Sequence, residues 1–367
     1  MRCVKKSLVM WSARCFIEEG EIKMKWGVIE KNIKKECKSH HKSSEYTQKY
    51  LTYSKKLFDN NLPIISSPKH FSLLVGLEHQ YICNMAYASD RFYRHFSIPK
   101  SNGQARNIDE PLPDLKFVQS WILHNILEKC AVSDYAKAYL KGRTLKHNAR
   151  FHRAQKVVVT MDIKNFFPSI SVKDITEIFE NMGYFHDLSC FLAHLCCYNN
   201  VLPQGAPTSP YLSNLRMTTL DDKISEYTYE KSIRYTRYAD DLTFSGDFNP
   251  HFLISNISKF VYNEGFCINP QKTRIARSNT RQEVTGIIVN SHMQLSKEKR
   301  KLIRQQVYYI RKFGLESHLE RIGENRANYL NHLLGQINFA LFVNPKDKEM
   351  KEYFNVVKSI MKNQQEQ

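Results

Sequence analysis

Tyr238-Ala239-Asp240-Asp241 sets two adjacent carboxylates between two short runs that favour extended backbone, Ser232 to Tyr238 and Leu242 to Gly246. Both flanks are rich in β-branched and aromatic residues, so the pattern predicts a hairpin whose turn carries the acids. Like charges held that close repel each other and cost stability unless a cation sits between them. A third carboxylate, Asp162, ends another β-type run, Val157-Val-Val-Thr-Met-Asp162. If these strands pair, the three acids meet at one end of a small sheet, a donor set for two Mg²⁺ ions about 3.5–4 Å apart. On the tetrapeptide alone a polar turn is the simpler reading. The order of the neighbouring segments decides between the two.

Charge narrows the partners. The 367-residue chain carries 54 Lys plus Arg against 36 Asp plus Glu, a net +18, and an excess of that size points to a polyanion, with nucleic acid the first candidate. Hydrophobic residues at 42% and aromatics at 12% suffice for a packed core, which excludes a disordered basic tail. The length suggests two or three subdomains. No apolar run is long enough to span a membrane, and the apolar part of Met1 to Trp11 is too short for a secretory signal. The expectation is a cytoplasmic protein without a membrane partner, with Met24 an alternative start. Nine cysteines include no Cys-x-x-Cys, and Cys196-Cys197 lies in an apolar helix-like stretch, so buried free thiols are expected.

Along the chain, residues 1–60 are rich in Lys, Ser and His and read as exposed helices. Tyr93 to Gly103 predicts a strand entering a turn, with a second extended stretch through Arg106, so Lys100 and Arg106 flank a hairpin tip. These two are solvated surface charges or a basic clamp for a triphosphate. Phe117 to Leu127 repeats apolar residues at helical spacing. Phe167, five positions after Asp162, is either a core aromatic or a face packed against the sugar that excludes a 2′-hydroxyl. Residues 172–198 read as helices. The loop Val201 to Pro210 places Gln204 and Gly205 where backbone can approach a ligand closely, followed by a helix over 209–226 with Pro210 in its first turn. Lys272, in Asn269 to Ile275, is an exposed lysine or the group that protonates or neutralises a leaving pyrophosphate. Val284 to Asn290 and Met293 to Ser296 read as a hairpin. Lys297 to Lys312 reads as a basic amphipathic helix with Leu302, Ile303, Val307 and Ile310 on one side.

Taken in order, Asp162, the Leu202 to Pro210 loop, Tyr238-Ala239-Asp240-Asp241, Lys272 and Val284 to Asn290 resemble the successive palm motifs of reverse transcriptases, over about residues 60–345. Asn148-Ala-Arg-Phe-His152 and Val284-Thr285-Gly286 resemble the two signatures of retron reverse transcriptases. The resemblance implies an α+β right-hand polymerase fold with an antiparallel palm sheet. Its parts would be an N-terminal helical appendage at 1–60, fingers at 61–155, palm at 156–290 with fingers-side helices at 172–200, and thumb at 291–367. It implies two Mg²⁺ held by Asp162, Asp240 and Asp241, catalysis with Lys272, and nucleotide contacts from Lys100, Arg106, Phe167, Gln204 and Gly205. Asn148, His152, Val284, Thr285 and Gly286 would bind a cognate non-coding RNA. That RNA would be template and, through an internal guanosine 2′-hydroxyl, primer; dNTPs would be polymerised into msDNA, a single-stranded DNA branched from RNA. The resemblance also implies anti-phage defence with a separate effector protein and leaves no room for an RNase H domain after the thumb. A defence-associated or group II intron-like reverse transcriptase of another lineage, primed differently, is the alternative.

Overall fold

A computed structural model describes residues 25–99, 103, 105–324, 326 and 328–365. Lys100 and Met24, singled out above, lie outside the described residues. The chain divides into two compact units, each built from two stretches of sequence. One takes Met1–Asp134 with Asn165–Asp222, the other Tyr135–Lys164 with Lys223–Gln367.

The first unit is mainly helical. Its helices start where short polar residues precede the apolar periodicity. Ser67 accepts from the His70 N–H ahead of the helix Pro68–Val75, and Ser171 and Asp174 form a reciprocal capping box at Val172–Met182, which satisfies otherwise orphaned N–H groups. Phe71, Phe179 and Phe191 are fully buried, with Phe71 edge-on to Phe191 at 6.1 Å and to Trp121 at 5.4 Å. The helices Trp26–Ser39 and Ser44–Asp59 pack through a small cluster of Ile33, Cys37 and Leu51. An antiparallel hairpin, β1 (Tyr93–Pro99) with β2 (Ala105–Pro111), pairs Tyr93 with Pro111 and Ile98 with Arg106. The 172–198 stretch is two helices, Val172–Met182 and His186–Cys196, and Cys196 and Cys197 are buried free thiols. The predicted 209–226 helix instead breaks at Met217 into Ser209–Arg216 and Thr218–Glu230.

The second unit is organised by a four-stranded antiparallel sheet of β3 (Val157–Ile163), β4 (Arg234–Tyr238), β5 (Asp241–Gly246) and β6 (Ile268–Arg277), in the spatial order β4-β5-β3-β6. Central β3 is apolar on both faces and its residues are almost all buried, as a covered strand requires. The outer edge of β4 is covered by Tyr135 and Lys137, whose backbone groups bond both sides of Arg237. The helix Pro250–Asn263, capped by Asn249, packs Leu253, Ile257 and Val261 toward the sheet, against β6 and β3.

A second core of this unit joins the helices Lys297–Phe313 and Tyr329–Val343 with Val284, Ile287 and Val289. Ile303, Val307 and Ile310 are its inward seam, but Leu302 is 51% exposed, a correction to the face predicted above. A seam at i, i+4 and i+7 from Ile303 leaves position 302 about 100° away, toward solvent. The expected hairpin is also tighter than its sequence suggested. β7 (Glu283–Val284) pairs with β8 (Ile287–Ile288) across Thr285 and Gly286, and Gln294 joins by a single bridge to Ile288. Thr285 and Gly286 have φ of 48° and 83°, the double left-handed turn that suits the twist of paired strands. Glycine adopts it freely, whereas a β-branched threonine does so under strain.

Among the described residues no helix is long and apolar enough to cross a membrane.

Candidate active site

Strand register brings the acids together. In the β3–β5 ladder Asp162 stands directly opposite Asp241, so both side chains rise from the same face at the same end of the sheet. Asp240 occupies the two-residue turn between β4 and β5 with Ala239, whose φ is 58°. Two bonds hold that turn from below: the Ile163 N–H donates to the Asp240 carbonyl at 3.0 Å, and the Arg237 guanidinium donates to the Ala239 carbonyl at 3.2 Å. Arg237 is fully buried. Nothing in the sequence marks it, because an Arg within a strand is ordinarily a surface residue.

Lys272 is aimed by an irregularity. Along β3–β6, Thr160 pairs with Arg274 but Asp162 pairs with Asn269, so Pro270 to Thr273 bulge from the ladder. Pro270 has no N–H to give the ladder, and Asn269 closes the bend by accepting from the Gln271 N–H. A bulge re-aims side chains. Here it puts Lys272 Nζ 2.8 Å from Asp162 Oδ2, with Asp162 nearly buried and Lys272 largely exposed. The hydrogen bond from Lys272 to Asp162, with the charges of all three acids, raises the lysine pKa. Burial, then the charges of Asp240 and Asp162, push Asp241 up to about 7, against a smaller opposing effect of Lys272. Such crowded carboxylates await a counter-charge.

The donor set is three hard carboxylates, which fits Mg²⁺ or a similar hard divalent ion. As placed, Asp162 is turned to Lys272, and among the described residues no three Asp, Glu, His or Cys side chains stand in a geometry that would hold a metal ion.

The nucleotide-binding candidates with described positions all fall in the first unit. Arg106 is exposed on β2 and Phe167 is half-buried at the start of a short 3₁₀ turn. The Gln204 carbonyl accepts from the Asp109 N–H at 2.8 Å. Gly205 has φ of 137°, and a Cβ there would lie 2.7 Å from the Asp109 carbonyl oxygen. The close approach that demands glycine is thus to β2 of the same unit.

Three of the five RNA-binding candidates need correction. Asn148, His152 and Val284 are completely buried, so surface contact with RNA is closed to them as placed. Val284 belongs to the core beneath its hairpin. Asn148 and His152 clamp the helix Leu145–Phe151 onto the sheet. His152 contacts Ser245 Oγ at 2.8 Å and Thr236 Oγ1 at 2.7 Å, and Thr236 donates to Asn148 Oδ1 at 2.6 Å. Burial and the charges of Arg234 and Lys137 hold the imidazole down at about 3, hence neutral. Thr236 and Ser245, on the adjacent strands β4 and β5, were not singled out from sequence. Thr285 and Gly286 are only partly buried in the β7–β8 turn.

Comparison with known proteins identifies the family. Residues 98–310 match the family described as "Reverse transcriptase (RNA-dependent DNA polymerase)". The chain is 30% identical over 310 residues to the retron Ec86 reverse transcriptase of Escherichia coli, covering 83% of this chain and 92% of that one. It is 35% identical over 229 residues to the retron Mx162 reverse transcriptase of Myxococcus xanthus, covering 54% and 47% of the two chains. Among solved structures, a telomerase from Candida albicans in complex with a telomeric RNA fragment aligns at 12% identity and a TM-score of 0.44, over 72% of this chain and 61% of that one; at that score it carries no weight. The family match and the near full-length relative suffice: this chain belongs to the retron reverse transcriptases and is an RNA-directed DNA polymerase of mixed α and β structure.

Proposed function

We propose that the chain copies a structured non-coding RNA into msDNA, priming from an internal guanosine 2′-hydroxyl, and that it serves anti-phage defence with a separate effector protein. The observation that most supports its catalytic part is the pairing of Asp162 with Asp241 beside the Asp240 turn, with Lys272 held against them. In this reading residues 61–155 act as fingers, 156–290 as palm and 291–367 as thumb, with 1–60 an appendage.

Asp162, Asp240 and Asp241 would hold two Mg²⁺ ions, which supply Lewis acidity toward the attacking hydroxyl and the triphosphate. Lys272 is the ammonium of the site, and its raised pKa keeps it protonated, available to neutralise or protonate the departing pyrophosphate. Lys100 and Arg106 would grip the triphosphate, Phe167 would exclude a 2′-hydroxyl by volume, and Gln204 and Gly205 would support the base pair. Asn148 and His152 would act through the surface they hold in place, whereas the partly buried Thr285-Gly286 turn would contact RNA.

The test expresses the gene with its upstream intergenic region and compares wild type with the pair Asp240→Asn and Asp241→Asn. A short, debranching-sensitive, RNA-linked DNA made only by wild type is the expected result. No such product, with extension retained on an artificial primer-template, would assign the chain a different priming mode.

A further inference from the structure

The exposed side of the helix Leu145–Phe151 forms one wall of a groove of about 380 Å³ lined by His147, Arg150, Phe151 and Arg234. Among the described residues no acid lines it. Phe151 is 47% exposed, which leaves part of its ring open to a partner. Its ring is nevertheless fixed. It stands edge-on to His152 at 5.4 Å and 89°, and His152 is itself locked by the sheet hydroxyls. Arg234, projecting from β4, donates to the Phe151 carbonyl at 2.8 Å and lies with its guanidinium carbon 5.8 Å from the ring centre. One guanidinium hydrogen bond is thus spent on the wall itself, leaving other N–H donors directed elsewhere. Burial first, and then the charges of Arg234 and Lys137, hold the neighbouring His152 neutral.

We infer that this groove is a subsite for one unpaired nucleotide of the RNA, its base stacked on Phe151 and its phosphates held by Arg150 and Arg234. The volume suits a single nucleotide-sized ligand. An aromatic face between arginines is how unstacked RNA bases are gripped, whereas duplex RNA is read by its shape and backbone. The inference rests on the proposal that a structured RNA is the partner. It also gives the buried Asn148 and His152 a physical role: they pre-set the orientation of a neighbouring surface.

The test uses the full chain with Phe151→Trp, so that an added indole reports from the groove, and wild type as the blank. A single-stranded decamer of uridine should quench the added emission saturably, and Arg150→Gln should lower the slope of log affinity against log salt by about 1. No quenching beyond wild type would overturn the subsite, as would equal quenching by a blunt RNA duplex. Stronger quenching by a thymidine decamer would overturn its assignment to RNA. Should Phe151→Trp fold poorly, a 4-thiouridine decamer cross-linked to wild type tests the same subsite through the peptide it labels, expected to contain His147 to Phe151; labelling confined to other peptides would overturn it. Phe151→Ala should weaken binding at the groove about 5- to 150-fold, from ~1–3 kcal/mol per stacked base. Absence of extension by wild type on a pre-annealed primer-template would count against the catalytic reading, independently of the groove.

Discussion

His152→Gln separates two consequences of the buried clamp. Burial brings the imidazole from its ordinary 6.5 down to about 3, so the unfolded chain binds a proton that the folded chain refuses. The stability linked to neutral His152 is therefore fully present above pH 6.5 and is lost as pH falls toward 3. The slope is about 1.4 kcal/mol per pH unit, or about 2 kcal/mol between pH 6.5 and 5.0. Glutamine does not titrate. It reaches fewer partners than the ring, which bridges Thr236 and Ser245, and leaving one hydroxyl unsatisfied costs roughly 1–3 kcal/mol at every pH. Urea unfolding followed by circular dichroism at pH 7.5 and 5.0 should show the variant less stable at the higher pH and the gap narrowed by about 2 kcal/mol at the lower. Carboxylates and other histidines titrate alike in both proteins and cancel. Parallel curves would refute a neutral buried His152. A gap that widens in acid would mean that the imidazole is charged and paired.

Other perturbations test the active site and its supports. Phe167→Ala should admit ribonucleotides in primer extension, and unchanged discrimination returns Phe167 to ordinary packing. Lys272→Met should slow extension about 10²- to 10⁴-fold, the usual worth of a positioned acid, and remove the alkaline limb of the pH–rate profile; a near wild-type rate would make Lys272 a surface charge. Asp241→Asn should abolish extension yet raise the melting temperature at pH 8 in chelator. Because Asp241 is pushed up to about 7, its penalty appears as pH rises from 3.8 through 7, so the gain should vanish near pH 4; a gain independent of pH would deny that crowding. Gly205→Ala forces a left-handed φ and a Cβ onto the Asp109 carbonyl, and should cost about 1–3 kcal/mol in thermal unfolding.

The parts of this molecule legible in its sequence are those written in local pattern. The β-branched runs around Tyr238 to Asp241 and before Asp162 become β4, β5 and β3, and the helices read over 172–198 form there. What was not legible depends on register or on the far side of an element. Asn148 and His152 stand out as polar residues, and only the packed sheet reveals that they face Thr236 and Ser245 rather than solvent. Phe151 and Arg150, beside them in sequence, face outward on the same short helix. The bulge that aims Lys272 arises from pairing on both sides of β3, and buried Arg237 from a turn that needs a donor beneath it. No window of sequence carries either relation.

Central β3 has a bearing on how the protein is made. Val157–Ile163 is a strongly apolar strand whose neighbours, β5 and β6, follow about 80 and 105 residues later in the chain. At roughly 5–20 residues per second of synthesis, this segment waits from about 4 s to 20 s outside the ribosome with both edges open. Such a stretch, uncharged until Asp162, is prone to self-association while it waits. Asp162, proposed above as a metal ligand at the end of that strand, is also its one negative charge; asparagine there would remove the proposed catalytic group and, during biosynthesis, a gatekeeper against aggregation.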